Sequence, residues 1–169
     1  DVVAQAAAKP GELNVANPGS GSSIHLAQEL LFERTGMQVT NVNYRGQPPS
    51  LLDLAEGRVH LALISQSLAL PLIQTGKLRA LAVNAARRTR SLPQVPTVAE
   101  AGLPEVLVQS WYGVAAPART PAPIVSYLSD QFMQTLTQPE TRAKLDGMDA
   151  ELMALPGPEL DKLIEREFR

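Results

Sequence analysis

The chain's 169 residues suffice for one ordinary domain or two small lobes, and 44% of them are apolar, enough to supply a core. Only 4% are aromatic, so that core must be built from Leu, Val and Ala. A formal charge of -2 offers no electrostatic case for nucleic acid or an anionic membrane, and the absence of cysteine excludes disulfides and zinc–thiolate sites while leaving the compartment open.

In chain order, Asp1 to Lys9 reads as a short helix stopped by Pro10-Gly11. The opening at Asp1, without an initiator Met or a leader, is expected of a processed, excised or engineered piece. Leu13 to Ala16 begins a strand that runs into a turn rich in Gly, Ser and Pro. A helix follows, with Ile24, Ala27, Leu30 and Leu31 on one face, and ends at Gly36. Val39 to Tyr44 is a second strand. Ser50 is the expected N-cap of the next helix, with Asp53 three residues on and Gly57 at its end. Val59 to Ile64 is a nearly continuous apolar run, as in a strand covered on both faces. Ser65 to Ser67 then open a helix that stops at Gly76, and Leu78 to Asn84 reads as a fourth strand. This alternation with short connections predicts an α/β fold with a parallel sheet.

The pattern changes after Asn84. A loop over Arg87 to Thr97, whose Arg87-Arg88-Thr89-Arg90 cluster reads as solvated, precedes a short helix around Val98 to Ala101. Val106 to Gln109 and Trp111 to Ala115 read as extended, a candidate crossover. Thr120 as N-cap and Pro121 as first residue start a long amphipathic helix carrying Ile124, Leu128, Phe132 and Leu136. Pro139 starts another helix, Glu151 to Met153 reads as an edge strand, and Pro158 to Phe168 is the last helix, with Leu160, Leu163, Ile164 and Phe168 inward. This final third holds helices but little sheet, and reads as half of a lobe.

The chemistry concentrates in Asn17-Pro-Gly-Ser-Gly-Ser-Ser23. Strand, Gly/Ser turn and helix N-terminus together make an anion cradle of main-chain N–H groups and hydroxyls. A phosphate loop of the Walker type needs a lysine that is absent. A dinucleotide fingerprint needs a glycine where Ile24 stands and a carboxylate after the next strand, which ends Val42-Asn43-Tyr44-Arg45. A small carboxylate or phosphate fits better; the alternative is a plain turn whose serines only cap the helix.

Other residues carry paired readings. His25 steadies the loop, touches a ligand, or makes a structural hydrogen bond; His60 packs or lies at the surface. Two lone histidines make no metal site. A hydrolase triad is unsupported, because Gly-x-Ser-x-Gly is absent and Ser23 and His25 share one helical turn. Arg45 pairs with a ligand carboxylate or is an exposed loop residue, and Tyr44 closes over a ligand or packs. Ser65, Gln66 and Ser67 follow the third strand at the sheet edge where open parallel sheets bind ligands. Trp111 and Tyr112 are hinge packing or ligand wall.

Several stretches together resemble one family: Lys9-Pro-Gly11, Gly19-Ser-Gly-Ser22 with His25, Val42-Asn-Tyr-Arg-Gly46, Gly76 to Val83, Leu92 to Leu103, and Ser110-Trp-Tyr-Gly113. Their order and spacing are similar to the solute-binding proteins of tripartite tricarboxylate transporters, the Bug receptors, over almost the whole chain. The resemblance implies a type II periplasmic-binding-protein-like fold of two lobes, a periplasmic location, a small carboxylated solute, and delivery to membrane permease subunits. It implies that residues 1–10 are a helix leading in, 11–110 a ligand-binding lobe, and 111–169 the C-terminal part of a first lobe whose opening half precedes Asp1. The expected ligand set is Asn17, Gly19, Ser20, Gly21, Ser22, Ser23, His25, Tyr44, Arg45, Ser65, Gln66 and Ser67, with no catalytic residue, metal or cofactor. The alternative is a sensory or effector-binding module on the same fold. Exposure of Ile124, Leu128, Phe132, Leu163 and Ile164 would favour self-association.

Overall fold

The computed structural model describes residues 2–108 and 110–167. Strands β1 (Asn14–Asn17), β2 (Thr40–Asn43) and β3 (Leu61–Ala62) form a parallel sheet in the order β2-β1-β3. Asn14 to Asn17 register with Thr40 to Asn43, and Val15 and Ala16 with Leu61 and Ala62. The central strand is covered on both faces: Val15, Ala16 and Asn17 are all buried. Helices α1 (Val2–Ala8), α2 (Ser23–Thr35), α3 (Gln47–Ala55) and α4 (Gln66–Gln74) accompany this sheet, followed by a 3-10 turn at Pro104–Val106. Then come α5 (Ala122–Thr137), α6 (Pro139–Gly147) and α7 (Gly157–Glu167).

The chain divides into two compact units, Asp1–Trp111 and Tyr112–Arg169. In the first, Ala6, Leu13, Val15, Phe32 and Met37 form the core, with Val2, Val3, Leu31, Val39 and Leu61 against it. The lead-in helix α1 is therefore packed into the sheet unit. α2 ends as its sequence dictates: Gly36 takes the left-handed cap at φ 68, a conformation that strains any residue with a Cβ.

Several local expectations are corrected. Ser50 does not cap its helix: Pro48 and Pro49 tolerate the first turn, where no N–H is needed, so α3 starts at Gln47, whose carbonyl accepts from the Ser50 hydroxyl at 2.8 Å. Leu78 to Asn84 is not a strand. Val83 alone bridges Thr97, because the segment's apolar residues join a second small core of Val83, Leu92 and Val95, while Leu81 is exposed. Pro93 and Pro96 lack the N–H groups a longer ladder would need. The helix expected at Val98 is a single turn. It is closed by a reciprocal capping box, with the Glu100 N–H on Thr97 Oγ1 at 3.1 Å and the Thr97 N–H on Glu100 Oε2 at 2.8 Å.

Pro121, rather than Thr120, is the N-cap of α5; its carbonyl accepts from the Ile124 and Val125 N–H groups. Glu151 to Met153 is irregular, flanked by left-handed Asp149 (φ 53) and Ala154 (φ 45), which a strand does not tolerate. The apolar run at 59–64 pairs over only two residues, since the β1 ladder ends where Pro18 begins the turn. Of the extended stretch expected at 106–109, Val106 closes the 3-10 turn and Gln109 lies outside the described residues, as does Phe168.

The second unit contains no strand among its described residues. α5 buries none of its side chains, and Ile124 and Phe132 are 49% and 46% exposed. Leu163 of α7 is buried and Ile164 half-buried, inward as expected of the last helix, so these two do not join the exposed residues expected to favour self-association.

Replacement of Phe32 by Ala removes the one aromatic ring of the first core. It should destabilise the sheet unit by about 3–5 kcal/mol in urea unfolding followed by circular dichroism.

Candidate functional site

A β2-β1-β3 order places a topological switch between β1 and β3: the chain leaves β1 towards β2 and returns on the other side. In open parallel sheets, loops at the carboxyl ends of such a strand pair diverge and leave a crevice where ligands bind. The Gly/Ser turn follows β1, and Ser65 to Ser67 follow β3.

The turn is held by a chain of hydrogen bonds. Asn17, 2% exposed, accepts the Gly19 N–H at 3.1 Å through Oδ1 and donates from Nδ2 to Asn43 Oδ1 at 3.0 Å. Its carbonyl and that of Pro18 accept the Tyr44 and Gly46 N–H groups, each at 2.8 Å. The Ser22 hydroxyl donates to Gly19 O at 2.7 Å and accepts the His25 N–H at 3.2 Å, capping α2. Gly21, at φ 79, donates its N–H to His25 Nδ1 at 3.1 Å.

Among the described residues, this leaves the Ser20, Ser23 and Ile24 N–H groups without a protein acceptor, at the positive end of the α2 dipole. The Ser23 hydroxyl pairs with the Ser110 hydroxyl at 3.0 Å, bringing a second hydroxyl to the turn from far along the chain.

The β3–α4 turn is tied to the same edge. Gln47 Oε1 accepts the Ser65 N–H at 2.6 Å, while the neighbouring Gly46 N–H is on Pro18 O. The start of α3 thus joins the two loops. Ser65 is the N-cap of α4 through its backbone, and Gln66 and Ser67 occupy the first turn, Ser67 exposed. Arg45 lies between the anchored Tyr44 and Gly46; its side chain is exposed and has no ion pair among the described residues.

Not every expected residue joins this edge. The Tyr44 hydroxyl donates to Asp53 Oδ2 at 2.7 Å and is engaged with α3. Desolvation, then the bond to Asp53, raise its pKa. Asp53 also pairs with Arg58, which reaches Glu56; the Tyr44 bond first and Arg58 second hold the Asp53 carboxyl below its ordinary range. His60 accepts the Asn14 N–H through Nδ1 at 2.9 Å, fastening the start of β1 away from the turn. Trp111 is half-buried and Tyr112 exposed.

Sequence reasoning missed Asn43, Gln47 and Ser110 as members of this arrangement. All three lie in or beside the stretches that carried the family resemblance, and this proximity was the available signal. An open hollow of about 540 Å³ lies elsewhere, lined mainly by apolar residues including Ile73, Leu78, Leu81 and Val95. Arg79 and Gln94 are the polar side chains of its lining, and it lies apart from the β1 and β3 loops. Among the described residues no three His, Asp or Glu side chains group as metal ligands, and no helix is long and apolar enough to cross a membrane.

This arrangement of sheet, switch and turn is that of a type II periplasmic-binding-protein-like α/β fold, and comparison with known proteins specifies the family. Residues 1–169 match the tripartite tricarboxylate transporter family receptor, and the chain belongs to that family. It is 36% identical over 135 residues to BugT of Bordetella pertussis, covering 80% of this chain and 41% of that protein. It is 40% identical over 132 residues to a protein of the tcbD-tcbE intergenic region of a Pseudomonas species, 78% of this chain and 39% of that one. The chain thus spans about two fifths of the length of these curated relatives. Among solved structures, it is similar to R. palustris Rpa4515 with adipate at TM-score 0.92 and 37% identity, over 98% of this chain and 56% of that one. It is also similar to MatC of Rhodopseudomonas palustris with bound malate, at TM-score 0.85 and 30% identity, over 98% and 57%.

Asn17→Ala should lower stability by about 1–3 kcal/mol in urea unfolding, because the Gly19 N–H and the Asn43 side chain both lose a partner. The lowered Asp53 pKa contributes stability that is present above its unfolded value of about 3.9 and lost as pH falls through the lower folded one. Asp53→Asn should flatten that acid limb in thermal melts recorded from neutral pH downwards.

Proposed function

We propose that this chain carries a solute-capturing lobe of a periplasmic receptor. The Gly19 to Ser23 turn takes one carboxylate of a small organic acid, and the receptor passes the solute to membrane permease subunits. The single observation that carries this reading is the set of Ser20, Ser23 and Ile24 N–H groups at the α2 N-terminus that have no acceptor among the described residues, beside the Ser23–Ser110 hydroxyl pair. Oriented amides at a helix N-terminus suit an anion. The exposed Arg45 beside Pro18 adds a guanidinium able to pair with a carboxylate in two-pronged fashion. Ser65, Gln66 and Ser67, linked to the same edge through Gln47, supply a second wall.

The similarity to proteins solved with adipate and malate supports a carboxylate, and the family's description supports delivery to a transporter. The proposed role is non-catalytic: the turn offers donors and hydroxyls but no nucleophile paired with a base.

Calorimetric titration of the chain with adipate and with malate tests the reading. Gly21→Val, which forces a branched residue to φ 79, should weaken binding at least tenfold while leaving the circular dichroism unchanged. Equal affinity in the folded variant would refute the turn as the site. The bound acid should be recovered chemically intact in NMR spectra after prolonged incubation at stoichiometric protein.

A further inference from the structure

We propose that His25 is a positioning residue of the carboxylate site, acting through Gly21 rather than on the solute, as the acceptor that fixes the turn through one ring nitrogen. This inference rests on the receptor reading for its link to affinity, but its geometry is independent of any ligand.

Three contacts define the arrangement. The Gly21 N–H points at His25 Nδ1 at 3.1 Å, so Nδ1 must carry a lone pair and the ring proton must sit on Nε2. Glu29, one helical turn further along α2, places Oε1 3.4 Å from that Nε2, where a carboxylate favours N–H over a lone pair. Asn41 of β2 in turn donates Nδ2 to the same Glu29 oxygen at 3.1 Å. A line of polar groups therefore runs from the β2 strand through Glu29 and the imidazole to the turn.

The consequence falls on Gly21. Its left-handed φ of 79 leaves the Gly/Ser turn with conformational freedom that the neighbouring bonds do not remove. The Gly19 N–H is held by Asn17 and the Ser22 N–H by Gly19 O; between them His25 holds the Gly21 N–H, beside the Ser20 N–H that is offered to the solute. With that bond made, the Ser20, Ser23 and Ile24 N–H groups are presented in a fixed arrangement before any solute arrives. Preorganisation of this kind raises affinity by removing an ordering cost from binding. The imidazole needs no contact with the solute to do so.

The two shorter amide side chains separate this role from direct contact. Asn carries its carbonyl oxygen at the place of Nδ1, whereas Gln reaches to the place of Nε2. His25→Asn should keep the Gly21 amide protected from hydrogen exchange and retain adipate affinity. His25→Gln and His25→Ala should expose that amide and weaken adipate binding about tenfold. In the unaltered chain, long-range proton–nitrogen NMR should find the His25 proton on Nε2, a measurement that requires no variant to fold. Glu29→Leu should shift that ring towards a mixture of tautomers.

A proton on Nδ1, an unchanged Gly21 exchange rate in a folded His25→Ala chain, or rescue by Gln as good as by Asn would each overturn the proposal. If the unaltered chain binds neither adipate nor malate, the receptor reading fails, while the tautomer and exchange measurements still decide the role of His25.

Discussion

The requirement that a buried polar side chain find its hydrogen bonds governs this structure most directly at Asn17. It stands at the end of the central strand, almost wholly enclosed, where an aliphatic residue would continue the pattern of Val15 and Ala16. Burial without partners would be costly, so the amide can occupy this position only if both ends are used. One end draws the turn back onto the strand through Gly19; the other ties β1 to β2 through Asn43. The path of the Gly/Ser turn, the closeness of Gly46 to Pro18, and through Gln47 the attachment of the β3–α4 turn all extend from that joint. Order at the site is thus inherited from the sheet.

Further from the sheet, polar side chains substitute for regular structure. The segment from Arg88 to Leu103 has neither a helix nor a strand of useful length, yet it is held. Arg88 reaches both Glu100 and the Pro93 carbonyl, and Glu100 caps Thr97. The Arg88 bond first, and the Thr97 N–H second, keep the Glu100 carboxyl below its ordinary range. Beneath this frame, Val83, Leu92 and Val95 form their own small core. The apolar run at 78–83 could therefore be satisfied without entering the sheet.

That run shows where sequence was legible and where it was not. Patterns set by neighbours in the chain transferred well: the Gly36 cap, the three strands themselves, the helices opening at Ser23 and Gln66, and the Gly/Ser turn at a helix start. Patterns that depend on what lies across the fold did not. Leu78 to Asn84 has the composition of a buried strand, but composition cannot say whether an adjacent strand or a proline-rich loop will supply the partner. Likewise, Tyr44 and Arg45 are neighbours in the chain, but one side chain is engaged with Asp53 and the other is exposed, with no ion pair among the described residues. Ser110 joined the turn only through tertiary folding, 87 residues from Ser23. Thr97 and Glu100 carried a true capping signal, but it closed one turn and no helix, since Gly102 and Pro104 follow at once.

The sixteen residues of α5 carry an apolar stripe yet bury no side chain. Their thermodynamic behaviour therefore differs in kind from that of α2. Melting a helix whose apolar side chains, such as Ile124 and Phe132, are already 49% and 46% exposed uncovers less new surface than melting a buried one, so the associated heat-capacity increment is smaller. Its helicity rests on backbone hydrogen bonding and residue propensity, both of which decline gradually with temperature for a helix of this length. In a calorimeter α5 would contribute a broad, nearly baseline-like absorption of heat, while the sheet unit supplies the sharp transition. A single midpoint would then describe only part of the chain.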